Sequence, residues 1–160
     1  MKRISLFLAA AILMASLLSI TAFKTMPPSR PSANGQGSLT RPGDLTRHFS
    51  FHANTMPNGN VQGSGVLTIT GGGRKIKFDI TCLTVVGNEA RMSGTITDDN
   101  EFPQFIGTGC RFRVVDNGEG SNAADDQISL LQFSFPSVPP CNNVPLGLFP
   151  VEGGNIQVKN

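Results

Sequence analysis

The sequence predicts an all-β fold, and three observations carry the prediction. Helix-forming residues are sparse. Gly (18), Pro (11), Thr, Ser and Asn are abundant, as short strands joined by tight turns require. Most of all, apolar side chains recur with a period of two rather than 3.6 over much of the chain. The expected architecture is a single antiparallel meander of seven to eight strands after an N-terminal signal helix, forming a β-sandwich or a small β-barrel, since either arrangement hides its edges.

The N-terminus is an export leader. Met1-Lys2-Arg3 is a short positive region, Ile4 to Ile20 is apolar apart from Ser5, Ser16 and Ser19, and Thr21-Ala22 supplies small residues for cleavage after Ala22. Ile20 is an unusual residue three positions before a cut, so an uncleaved membrane anchor stands as the alternative. No Cys follows the apolar stretch, which argues against a lipid-modified N-terminus, and the rest of the chain holds no second run of that length. The division is therefore 1–22 leader, 23–45 tether and 46–160 β domain. The tether contains Pro27, Pro28, Pro31 and Pro42 among Gly and Ser, a composition that buries too little apolar surface to offset chain entropy. Its last part, Gly35 to Thr40, is compatible with pairing to the sheet.

The strands follow in order. In Arg47 to Asn54, Phe49, Phe51 and Ala53 share one face while His48, Ser50 and His52 share the other. Asn58-Gly59-Asn60 turns the chain into Val61 to Thr70, where Gly63 and Gly65 are in phase. After Gly71-Gly72-Gly73, Lys75 to Val85 sets Ile76, Phe78, Ile80 and Cys82 inward against Lys77, Asp79 and Thr81 outward. Gly87-Asn88 is a two-residue hairpin signal, and Ala90, Met92, Gly94 and Ile96 mark the return strand. Beyond the acidic loop Asp98 to Glu101, Phe105 to Val115 carries Cys110, Phe112 and Val114 on one side. Ile128 to Phe135 is apolar on both faces, as a central strand would be, and Ile156 to Val158 closes the sheet. No internal repeat is present.

Charge excludes one class of function. Lys2 and Arg3 belong to the leader, so residues 23–160 carry eleven basic and eleven acidic side chains. Without a polybasic stripe or an aromatic-basic ladder there is no electrostatic footprint for nucleic acid. A monomer meeting an extracellular or cell-surface partner, with no membrane contact beyond the leader, is the expectation.

Three cysteines in an exported chain allow one bridge and leave one thiol. Cys141 lies in the proline-rich stretch from Pro136 to Pro150, and a bridge from there to Cys82 would staple a long loop, worth roughly 3 kcal/mol or more. Cys82 with Cys110 is the alternative pair, requiring their strands to face each other across the core. Neither His shares a segment with a Cys, and no basic group is placed to activate a thiol.

The loop from Asp116 to Asp126 is the richest in chemistry. Asp116, Asn117, Glu119, Asp125 and Asp126 are candidate ligands for a structural calcium ion, because Ca²⁺ takes hard oxygen donors and the loop's glycines let carbonyls turn inward. The spacing is not that of an EF-hand. The competing reading is a wide hairpin whose Asp and Asn side chains bond its own amides. No other cofactor is indicated. An acid-base pair of carboxylates is disfavoured, since the loops at 98–101 and 116–126 fall at opposite ends of a meander. His48 and His52 are about 13 Å apart along one strand, too far to share a metal. A sugar platform of flat aromatics is missing, for the chain has no Trp and no Tyr.

Two stretches resemble a group of exported bacterial β domains with no assigned biochemical role. One runs Asp79-Ile80-Thr81-Cys82-Leu83-Thr84-Val85-Val86-Gly87-Asn88-Glu89-Ala90, continuing to Ser93-Gly94. The other is Val114-Val115-Asp116-Asn117-Gly118-Glu119-Gly120, continuing to Asp126-Gln127-Ile128-Ser129. The likeness covers roughly 34–160, including Glu152 to Val158. It implies export and a β fold, makes Cys82 and Cys141 the recurrent pair with Cys110 the extra, and brings no catalytic residues. The resulting expectation is a secreted or cell-surface non-catalytic module. The alternatives are a barrel-shaped small-ligand carrier or enzyme, and a calcium-assisted carbohydrate-binding module.

Overall fold

A computed structural model of the chain describes residues 29–40, 45–120, 122–142 and 145–160. The leader at 1–22, its cleavage after Ala22 and the first part of the tether lie outside the described residues. Alternation becomes strand throughout: β1 (Ser32–Thr40), β2 (Thr46–Thr55), β3 (Val61–Ile69), β4 (Arg74–Val86), β5 (Glu89–Asp99), β6 (Gly109–Val115), β7 (Gln127–Ser129), β8 (Gln132–Phe135), β9 (Leu148–Pro150) and β10 (Gly153–Lys159). All pairings are antiparallel. They form one sheet in the order β10-β1-β2-β3-β4-β5-β6-β7-β9, with β8 beside β6. The sheet curls into a half-barrel, so the all-β meander is realised as one curved layer and not as two stacked ones.

Three elements differ from expectation. The tether assigned to 23–45 is shorter, because β1 begins at Ser32 and is paired on both sides, with β2 and β10. The strand takes in the Gly35 to Thr40 stretch expected to pair and extends it back to Ser32: Ala33 and Leu39 are its buried anchors, and Gly35 and Gly37 lie beneath the rings of Phe51 and Phe49. The expected central strand Ile128 to Phe135 is two short ones, β7 and β8, which pair with β6 in succession. At the break the Ser129 hydroxyl accepts the Arg113 amide at 2.9 Å, standing in for a ladder carbonyl. The strand expected from Phe105 starts only at Gly109, since Pro103–Phe105 forms a 3-10 turn with proline at its start. The division of Ile128 to Phe135, together with β9 (Leu148–Pro150) in the proline-rich stretch where no strand is expected, brings the count to ten.

The interior is filled by rings from alternate strands. Phe112 of β6 meets Phe51 of β2 at 5.2 Å and Phe78 of β4 at 5.6 Å, both edge to face, and each buried ring contributes about 2 kcal/mol. Phe78 spreads over Gly65, its cross-strand partner, and occupies the space a Cβ there would need. This accounts for an in-phase glycine.

A bulge changes the phase of β4. Ile80 pairs with Gly94 but Cys82 pairs with Ser93, so Thr81 is an extra residue. Past it, Leu83 and Val85 turn toward the core. Cys82, expected inward with Ile80, faces outward instead. Gly94 marks the point of closest approach, where a Cβ would collide with the Asp79 carbonyl.

Candidate functional site

The acidic loop is brought together as a unit, but its carboxylates point at backbone amides. Asp126, 8% exposed, accepts the Asn117 N–H on Oδ1 at 2.8 Å and the Ile156 N–H on Oδ2 at 2.7 Å. Asp116 accepts the Gly118 N–H on Oδ1 and the Val158 N–H on Oδ2, both at 2.9 Å. Each aspartate therefore holds its own loop with one oxygen and strand β10 with the other. Glu119 accepts the Asn155 side-chain amide at 2.8 Å, and Asn117 donates to the Asp125 carbonyl at 2.6 Å. The Asp125 residue is exposed.

The consequence is architectural. β10 is a terminal strand of the sheet, and its outer N–H groups at 156 and 158 would be an open edge. The loop after β6 comes round to that edge and covers it with carboxylates, bridging the two sides of the half-barrel without another ladder. Gly118 (φ 89°) and Gly120 (φ 115°) supply the left-handed turns that bend the loop back. The self-bonding hairpin expected from the sequence is present in the bonds to Asn117, Asp125 and Gly118, and the clasp on β10 is a separate long-range addition. Among the described residues no three His, Cys, Asp or Glu side chains stand close enough to hold a metal ion.

A second polar cluster went unnoticed in the sequence because its members lie 25 residues apart. Asp99, 2% exposed, takes Arg74 in a two-pronged pair, Nη2 to Oδ2 at 2.6 Å and Nε to Oδ1 at 3.2 Å. The Glu101 and Phe102 amides add to Oδ1 at 3.2 and 3.1 Å, and the guanidinium lies 4.5 Å from the centre of the Phe102 ring. Burial pushes the Asp99 carboxyl up. The Arg74 bond, the two amides and the Arg74 charge together outweigh burial, and Asp99 is held below its ordinary 3.8. A depressed folded pKa contributes stability that is complete above the unfolded value and is lost as pH falls through the folded one. Acid titration of stability should therefore show wild type losing, below about pH 4, an increment that Asp99→Asn never had; parallel curves would dismiss the pair as a stabiliser.

Cys82 and Cys141 form the disulfide, their Cα atoms 6.0 Å apart across a separation of 59 residues. Because the bulge turns Cys82 outward, the bridge lies on the convex face, where it pins the proline-rich strap over β5 and β6. Cys110 is left in the core at 1% exposure, and burial pushes its thiol up to about 12 against a smaller opposing effect of the Gly94 backbone hydrogen bond. A thiol reagent should label no cysteine in the native protein and one per chain in denaturant without reductant. Three would refute the bridge.

His48 and His52 are exposed on the outer face of β2. The loops at 98–101 and 116–126 sit at opposite ends of β6, so their acids form no joint site. The outer face of β5 and β6 holds Glu89, Arg91, Arg111 and Arg113, whose outward alternation was legible in the sequence although their juxtaposition was not. Comparison of the chain with protein-family models, with curated proteins and with solved structures finds no match to any of them.

Proposed function

We propose that the chain is an exported, non-catalytic β domain that works through its outer surface, as a structural or binding module, and that it belongs with the exported bacterial β domains its two motifs resemble. The observation that carries this reading is the filled interior. The space left among Leu39, Phe49, Phe78, Phe112 and Leu131 is about 30 Å³, room for a water or so, whereas a carrier or an enzyme built in a barrel needs several hundred. The buried carboxylates Asp99 and Asp126 are engaged in structural bonds. Export is supported by the composition of residues 1–22 and by the Cys82 to Cys141 bridge, since structural disulfides persist in oxidising compartments.

Thermal melting of the folded protein tests the reading. The midpoint should be unmoved by apolar small ligands such as fatty acids, and unmoved by a chelator, because the loop carboxylates already have amide partners. A saturable rise with an apolar ligand would revive the carrier alternative. A fall on chelation would restore calcium, and with it calcium-assisted carbohydrate binding.

A further inference from the structure

The outer face of β5 and β6 gathers three arginines. Arg91 and Arg113 are direct cross-strand partners, and Arg111 is the next residue of β6 on that face. Like charges so opposed destabilise an antiparallel pair. Among the described residues one carboxylate lies within ion-pair distance of them: Glu89 Oε1 accepts Arg91 Nε at 2.7 Å and Arg113 Nη1 at 3.4 Å. Arg111 has neutral company, donating to Gln132 at 3.0 Å and lying 4.8 Å over the Phe135 ring. These contacts orient its guanidinium without neutralising it. Three cations thus share one anion, on a chain whose basic and acidic side chains are equal in total number over residues 23–160.

A second observation points to the same place. Two buried side-chain donors have no hydrogen-bond partner among the described residues, Arg113 Nε and Ser93 Oγ, and both belong to this face. Ser93 is 1% exposed and directly opposes Arg111, beside the crevice and not in its lining, whereas Arg113 lines it. A buried donor without an acceptor carries its full desolvation penalty. Pro140, Asn142 and Leu146 of the disulfide-pinned strap form the facing wall of a crevice lined by the three arginines. The free space within it is about 10 Å³, so a ligand would meet the guanidinium edges at the mouth. Arg91 and Arg113 keep 20% of their side chains exposed there.

We propose that Arg91, Arg111 and Arg113 bind an oxyanionic group, a carboxylate or a sulfate, carried by the ligand of this domain. The planar guanidinium fork matches such groups with two parallel hydrogen bonds, and an oxyanion at the mouth supplies the negative charge that Glu89 alone does not. The inference rests on the reading of the domain as a surface-acting module and names the chemistry of its ligand.

The test titrates the folded full chain with sodium sulfate and, separately, sodium acetate, each against sodium chloride at equal ionic strength, following the amide resonances of β5 and β6. Saturable shifts on these strands are expected with at least one oxyanion, about tenfold weaker in Arg111→Gln, the loss of roughly one charge-assisted pair. Acetate binding identifies a carboxylate-bearing ligand and sulfate binding a sulfated one. Shifts that never saturate, that chloride reproduces, or that persist undiminished in Arg111→Gln overturn the proposal. Arg91→Lys keeps the charge and loses the fork, so it should weaken binding while leaving the fold intact. Failure here is separable from failure of the surface reading, which an apolar interior ligand would reveal in the melting experiment.

Discussion

Replacing Cys82 and Cys141 together by serine is expected to lower the unfolding free energy by about 4 kcal/mol, the loop-closure entropy of a bridge spanning some sixty residues. Set against the 5–15 kcal/mol typical of a whole domain, that is a large share, and the midpoint should fall by on the order of 10 °C. The effect has a native-state component as well. The bridge holds the strap against β5 and β6, where Ser93 and Cys141 are buried and Thr84 Oγ1 lies 3.5 Å from the Cys141 sulfur. Urea denaturation of the oxidised wild type and the double variant is the measurement. The unbridged chain should also show a larger denaturant slope, because its unfolded ensemble expands. A difference under about 1 kcal/mol would mean that the bridge does not constrain the unfolded chain.

The second large effect is at the clasp. Asp126→Asn conserves shape but offers one acceptor where the carboxylate offers two, and turns an amide donor toward a backbone N–H. It should cost about 3 kcal/mol, combining a lost charge-assisted bond with an unpaired buried amide. Asp125→Asn, one residue away and exposed, should stay within about 0.5 kcal/mol. Hydrogen exchange adds a local readout: the Ile156 amide should lose protection in Asp126→Asn more than the amides that bond β1 to β2. Uniform loss along the sheet would show that the clasp has no local role and that the substitution acts on the fold at large.

Local pattern carried much of the architecture. Phe49, Phe51 and Ala53 are buried as their alternation requires, and so are Ile76, Phe78 and Ile80. The hairpin at Gly87-Asn88 forms with Gly87 at φ 60°, and β10 closes against β1 as Ile156 to Val158 suggested. Where local pattern misled, a long-range contact overrode it. Cys82 left its phase because Thr81 bulges beside Gly94. The start of β1, Ser32 to Asn34, falls inside the expected tether, and the glycines that follow make room for the rings of Phe49 and Phe51.

The candidate site divides along the same line. The acidic loop could be found from composition, since so many carboxylates and amides in eleven residues are conspicuous. Its task could not, because the groups it binds lie 30 and 42 residues further along the chain, at Ile156 and Val158. Arg91, Arg111 and Arg113 alternate with the inward Met92, Cys110, Phe112 and Val114, yet only the register of β5 against β6 sets them side by side.

The sequence by itself determined the near-neutral charge, which is a matter of composition, and the β class, the turn positions and the inward face of most strands, which depend on neighbours one to four residues away. Tertiary structure decided which edge the carboxylates cover, where the bulge turns Cys82, and that three arginines share one face. Those outcomes depend on register and curvature, which arise only when distant segments compete for the same hydrogen bonds and the same interior volume.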